Sequence, residues 1–189
     1  RSGCLIAAPS ANTSGRPSPT EAAHVAEDLS GKIAMIIDGG PVGIGIESTI
    51  IDLTEDTPMV LRPGYITPQM LSKVLGKEVI IDPGIIAADD TRKPKAPGMK
   101  YKHYAPKADM AIVDGTRKHV IAKINELVAS HRDDGKKIAV IATEETKQFY
   151  DADVVLSMGS RADEDSIAHE LYRILRDCDE LDVDVIFSE

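Results

Sequence analysis

The 189-residue sequence predicts an α/β protein in which two sheet-containing units are joined by a basic strap. Three observations lead there. Short apolar runs alternate with segments of helical spacing through residues 1–82 and again through 107–189. Between them, 83–106 loses periodicity and carries Pro83, Pro94, Pro97 and Pro106. Charge divides the same way: 1–82 holds 6 basic and 10 acidic side chains, 107–189 holds 11 and 19, and 83–106 holds 5 and 2. A basic segment between two acidic ones suggests either an anion to be covered or a solvated tether.

In the first unit, Leu5–Ala8, Ile33–Ile37, Thr49–Leu53, Met59–Leu61 and Val79–Ile81 read as strands. Ala22, Val25, Ala26 and Leu29 fall at helical spacing between the first two. Ser18-Pro19-Thr20-Glu21 supplies that helix with an N-cap, a proline at the first position and a glutamate three on, and Gly31 ends it. Thr67-Pro68 opens a second helix by the same logic, and Gly76 closes it. Residues 107–189 read β-α-β-α-β-α-β, with strands at Met110–Val113, Ile138–Ala142, Val154–Ser157 and Val183–Phe187. Val120, Ile121, Ile124, Leu127 and Val128 mark one helix. Ile167, Ala168, Leu171, Ile174 and Leu175 mark another. Strands alternating with helices of this length call for a mostly parallel sheet with helices packed on it. Gly115 stands alone after the first of these strands, so a dinucleotide fingerprint is unsupported.

Composition bounds the function. Aromatic residues make up 4% and Trp is absent, so aliphatic side chains must do most of the packing. A formal charge of −9 argues against a protein that coats nucleic acid, which needs clustered Lys and Arg. Cys4 and Cys178 form no metal-type spacing, and Cys178 continues an apolar helical stripe, as a buried thiol would. With no signal-peptide pattern and no long apolar run, the expectation is a cytoplasmic protein without membrane contact. Arg1-Ser2-Gly3 runs straight into the apolar Cys4–Ala8, and the sequence stops after Val183–Phe187, so both ends read as cuts through a longer chain.

Four stretches carry chemistry. Pro9 to Thr20 follows a predicted strand, leads into a helix N-terminus, and packs hydroxyls, an amide and Arg16 together, which suits phosphate oxygens or an elaborate cap. Gly39, Gly40, Gly43 and Gly45 precede Glu47-Ser48-Thr49, allowing close backbone approach or a hairpin loop. Leu61-Arg62-Pro63-Gly64 fixes one arginine at a strand end, where it can fork onto a phosphate or a carboxylate. Pro97 to Pro106 interleaves Lys100, Tyr101, Lys102, His103 and Tyr104, a mixture able to stack on a base and neutralise phosphates. His24, His119, His131 and His169 share no metal-ligand spacing.

Together these stretches resemble the threonylcarbamoyl-AMP synthase family. The matching residues are Ser10-Ala11-Asn12-Thr13-Ser14-Gly15 with Ser18-Pro19-Thr20, then Gly45 to Asp52, then Leu61-Arg62-Pro63-Gly64, and finally the strap Pro97 to Pro106. The resemblance implies the C-terminal part of a YrdC-like catalytic domain at 1–82, a linker at 83–106 and a Rossmann-like accessory domain at 107–189. It implies a nucleotidyltransferase that joins L-threonine, bicarbonate and ATP into threonylcarbamoyl-AMP with release of pyrophosphate. Mg²⁺ would accompany the triphosphate. A downstream transferase would use the product for tRNA modification, with a weak tRNA contact by the synthase itself. Carried over residue by residue, Ser10, Asn12, Ser18, Arg62 and Tyr104 would serve ATP, with Tyr101 the alternative to Tyr104. Ala8 and Ser48 would face threonine. The family's upstream half, with its phosphate-facing Lys and Arg, has no counterpart in this sequence, so residues 1–189 alone are expected to be inactive. A non-catalytic YrdC-like module that binds double-stranded RNA or tRNA is the alternative, and the acidic balance speaks against it.

Overall fold

The computed structural model describes residues 3–5, 7–86 and 105–189. It is a mixed α/β structure with two sheets. The first unit begins with α1 (Ala22–Leu29), followed by β1 (Ile50–Asp52), β2 (Met59–Arg62), α2 (Pro68–Leu75), β3 (Ile80–Ile81) and a short turn of helix, α3 (Pro83–Ile86). β1 and β2 form an antiparallel hairpin with a register break between Ile50 and Ile51. β3 joins β2 in parallel, as the intervening helix requires. α2 is built as its sequence predicts. Thr67 accepts the Met70 N–H at its start, Pro68 follows, and Gly76 ends it at φ 65°.

Among the described residues, two expected strands find no pairing. Residues 7 and 8 and 33–37 have no ladder partner among the described residues, and Leu5, Met35 and Ile37 are exposed. An apolar run becomes a strand only where another edge satisfies its backbone. α1 also starts three residues later than its capping pattern suggests. Glu21 occupies the N-cap with an extended backbone and makes no side-chain cap bond. The Thr20 N–H goes instead to His24 Nδ1 at 3.2 Å, and Ser18 reaches elsewhere. The half-buried apolar stripe of α1 is not its deepest face, because His24 and Asp28 are the buried positions.

The second unit is a four-stranded parallel sheet in the order β4-β7-β5-β6, from β4 (Asp109–Ile112), β5 (Ile138–Ala142), β6 (Val154–Ser157) and β7 (Val185–Ser188). α4 (Arg117–Asp133) covers one face and α5 (Glu164–Glu180) the other. The alternation within β5 shows why its sequence is a continuous apolar run. Ile138, Val140 and Ala142 pack with Val120, Ile124 and Val128 of α4, while Ala139 and Ile141 pack with Ile174, Leu175 and Cys178 of α5. Each large aliphatic side chain so buried contributes about 1.5–3 kcal/mol. The expected middle helix is instead a single turn of 3-10 helix at Lys147–Phe149, since residues 143–153 are too few for a full helix and two turns. Among the described residues no helix is long and apolar enough to cross a membrane.

Candidate functional site

Three loops of the first unit meet. The segment Ser10–Ser18 is folded on itself by Asn12, whose Nδ2 donates to the carbonyls of Thr13 (3.0 Å) and Arg16 (3.3 Å). Gly15 sits at φ 92°, a turn geometry that disfavours a side chain. Asp28 holds the loop from α1, accepting the Thr13 N–H at 2.9 Å and the Arg16 guanidinium at 2.5 Å. Burial alone would raise the Asp28 carboxyl. Hydrogen bonds from Arg176 and the Thr13 N–H, with the charges of Arg176 and Arg16, hold it below the usual carboxylate range.

The second and third loops are Glu47–Thr49 and the Arg62–Gly64 turn. Arg62 Nε donates to the Ser48 carbonyl at 3.0 Å, and its terminal nitrogen reaches Ser48 Oγ at 3.1 Å and Glu47 Oε2 at 3.3 Å. Gly64 makes this approach feasible, because a Cβ there would run into the Glu47 carbonyl and the Thr49 nitrogen. Thr49 donates to the Ile66 carbonyl at 2.7 Å, extending the same seam. Ser18 closes the circuit by donating its hydroxyl to Glu47 Oε1. Ser18, Glu47, Ser48 and Arg62, distant in sequence, therefore form one polar cluster.

Beside it lies a cavity of ≈ 370 Å³ lined by Ile46, Glu47, Ser48, Thr49, Tyr65 and Leu71 among others. Its largely apolar wall with a few polar groups at one side suits a small amphiphilic molecule. Ser10 and Ala8 are exposed on the irregular lead-in to the first loop. Asn12 Oδ1 is buried without a partner among the described residues, an acceptor available to a donor. Tyr101, His103 and Tyr104 lie outside the described residues. Among the described residues no group of three His, Cys, Asp or Glu could hold a metal ion.

The chain matches the family described as "Threonylcarbamoyl-AMP synthase, C-terminal domain" over residues 66–189. The chain belongs to the threonylcarbamoyl-AMP synthase family. A second family description, "Telomere recombination", matches residues 1–64. The junction between the two matches falls between β2 and α2, so the three-stranded sheet is shared by both. The threonylcarbamoyl-AMP synthase of Bacillus subtilis is 47% identical over 188 residues, covering 100% of this chain and 52% of the relative. That of Pyrococcus abyssi is 51% identical over 97% of this chain and 52% of the relative. The crystal structure of P. abyssi Sua5 complexed with L-threonine superposes with a TM-score of 0.85 at 48% identity, covering 96% of this chain and 51% of that one. The chain thus spans about half the length of the relatives it matches.

Sequence reasoning missed several residues that shape this site. Glu47 appeared only as a polar group near a strand, yet it bridges Ser18 and Arg62. Asp28 and His24 gave one faint signal: a polar pair at i, i+4 on an otherwise amphipathic helix. His24 is buried, and burial first, then the nearby Arg176 charge, lowers its pKa, in keeping with a neutral ring accepting the Thr20 N–H.

A second polar cluster stands at the carboxyl ends of β5 and β7. The Glu189 side chain is 1% exposed and accepts from Thr143 N–H (2.9 Å), Thr143 Oγ1 (2.5 Å), Thr146 Oγ1 (2.6 Å) and Tyr150 Oη (2.7 Å), with Arg161 at 3.0 Å. Burial would raise its pKa. The donors from Thr143, Thr146 and Tyr150 prevail and hold it at about 2. The same burial and the Glu189 carboxylate push the Tyr150 phenol upward. This carboxylate is satisfied from within the chain, which marks it as a structural group.

Proposed function

We propose that the protein to which this chain belongs is an L-threonylcarbamoyladenylate synthase. The reading rests chiefly on the Ser18–Glu47–Arg62–Ser48 cluster, which joins a hydroxyl-rich loop to an arginine-bearing turn beside a small cavity. The threonine amine takes up carbon dioxide from bicarbonate as a carbamate, with loss of water. A carbamate oxygen then attacks the α-phosphorus of ATP, and the bond to pyrophosphate breaks. Little covalent work falls to the protein, so holding anionic partners in line and offsetting their charge accounts for most of the rate.

In this reading Ser10, Ser18 and Arg62 serve the nucleotide, Asn12 keeps the phosphate loop folded, and Ser48 with the Ala8 backbone faces threonine. Tyr104 of the strap closes over the nucleotide. Mg²⁺ travels with the triphosphate, held mainly by phosphate oxygens and water. The product passes to a tRNA threonylcarbamoyl transferase. Residues 1–189 alone bind ATP weakly or not at all, because they span about half the relatives' length and lack the phosphate-facing Lys and Arg that the family resemblance places upstream. Tight, threonine-enhanced ATP binding by isothermal titration would refute that point.

The test is pyrophosphate release by the complete encoded protein, with threonine or bicarbonate omitted in turn. Release should require both and should fall at least tenfold in Arg62→Ala, the cost of losing a charged hydrogen-bond donor of about 1.5–3 kcal/mol. Ser10→Ala should raise KM for ATP. A folded protein with no co-substrate dependence would overturn the reading and bring RNA binding forward.

A further inference from the structure

Helix α5 belongs to the parallel sheet by its core face, yet another flank touches the first site loop directly and, at Gly45 and Tyr65, the residues adjoining the other two. At its N-terminal end the Asp165 carboxylate lies near the hydroxyl of Tyr65 and raises its pKa, and Tyr65 lines the cavity beside Ser48. One turn on, the Ala168 carbonyl accepts the Gly45 N–H at 2.8 Å, and the Tyr172 N–H donates to the Gly45 carbonyl at 3.1 Å. In a regular helix those two α5 groups form one rung. Gly45 meets both members of it, two residues before Glu47. A Cβ at Gly45 would run into the His169 carbonyl, so only glycine permits this approach.

Farther along, Arg176 is fully buried. Its Nε and a terminal nitrogen donate to the Pro17 carbonyl at 3.1 and 2.6 Å, and it pairs with Asp28 at 2.9 Å and Glu27 at 3.2 Å. Pro17 immediately precedes Ser18, and Asp28 is the residue that holds Thr13. Asp179, a turn later, lies 3.7 Å from Arg16 and accepts the Lys107 N–H at 2.7 Å. Positions 165, 168, 172, 176 and 179 recur at the spacing of a single helix face.

We propose that α5 is a splint that sets the relative positions of the three loops of the candidate site, with Arg176 as its principal positioning residue for the nucleotide loop. This rests on the synthase reading for its catalytic consequence. A buried guanidinium is held in place by two carboxylates and a carbonyl, and its planar fork fixes direction as well as charge. Lysine can keep the charge beside Asp28 but cannot fork onto the Pro17 carbonyl at the same time.

The experiment compares wild type, Arg176→Lys, and Arg176→Met combined with Asp28→Asn in the complete encoded protein. The double variant removes both buried charges together, which protects folding. Two readouts are taken: hydrogen exchange across residues 9–20 and 138–142, and steady-state pyrophosphate release. We expect exchange in 9–20 to quicken about tenfold with 138–142 unchanged, and KM for ATP to rise about tenfold with kcat within about twofold. A lower melting temperature with unchanged KM for ATP, or exchange quickened evenly along the chain, would overturn the splint. If wild type itself shows no threonine-dependent release, the synthase reading fails, and exchange alone then decides the splint: selective loss of protection in 9–20 upholds it and unchanged protection removes it.

Discussion

Replacing Glu189 with glutamine tests the electrostatic account of the parallel sheet, because glutamine stands in for the protonated acid. Folding lowers this carboxyl from 4.5 to about 2. At 1.36 kcal/mol per pH unit, that shift corresponds to about 3 kcal/mol of stability at neutral pH. The side chain is 1% exposed, so solvent screening takes little from it. Because the folded value is the lower one, the stabilisation is complete above pH 4.5 and drains away as pH falls toward 2. Urea denaturation followed by circular dichroism should therefore find Glu189→Gln about 3 kcal/mol less stable than wild type at pH 7. The gap should narrow to under about 1 kcal/mol near pH 2.5. Glu145, also held at about 2, by the Ser160 hydroxyl first and then the Arg161 N–H, titrates in the same window but equally in both proteins. A gap that stays constant from pH 7 to pH 2.5 would show that charge at Glu189 is not what its hydrogen bonds stabilise.

Two further outcomes follow from packing. Gly64→Ala pushes a methyl into the Glu47 carbonyl and the Thr49 nitrogen, which should cost about 1–3 kcal/mol and, on the proposed synthase reading, lower kcat/KM for pyrophosphate release by the complete encoded protein at least tenfold. Wild-type turnover in that variant would show that the contact between the two loops is dispensable. Cys178 is 1% exposed, and burial first, then the charges of Asp177 and Asp179, pushes its thiol up to about 12. A thiol reagent should label exposed Cys4 alone in the native protein and both cysteines in urea, and two rapidly labelled thiols in native buffer would contradict the packing of α5.

Much of the architecture was legible before any coordinates. α2 carries its own signals in Thr67, Pro68 and Gly76, each acting on the backbone within a turn of itself. The central strands of the parallel sheet, β5 and β7, announced themselves because burial on both faces demands an unbroken apolar run, as in Ile138–Ala142. The fold class and the family therefore follow from local chemistry and from motifs in a fixed order.

Other features depended on partners far along the chain. Ser18 had every mark of a helix cap, yet its hydroxyl goes to Glu47, and His24 takes the Thr20 N–H. Ile33–Ile37 had every mark of a strand, but pairing is a property of two edges, and the sequence of one edge does not contain the other. Asp28 and Arg176 are 148 residues apart and meet as a buried pair. Apolar periodicity is written into each element because water acts on every residue alike. A buried ion pair leaves no such period, since its two charges stabilise one another only at contact distance, and the tertiary fold alone brings them there.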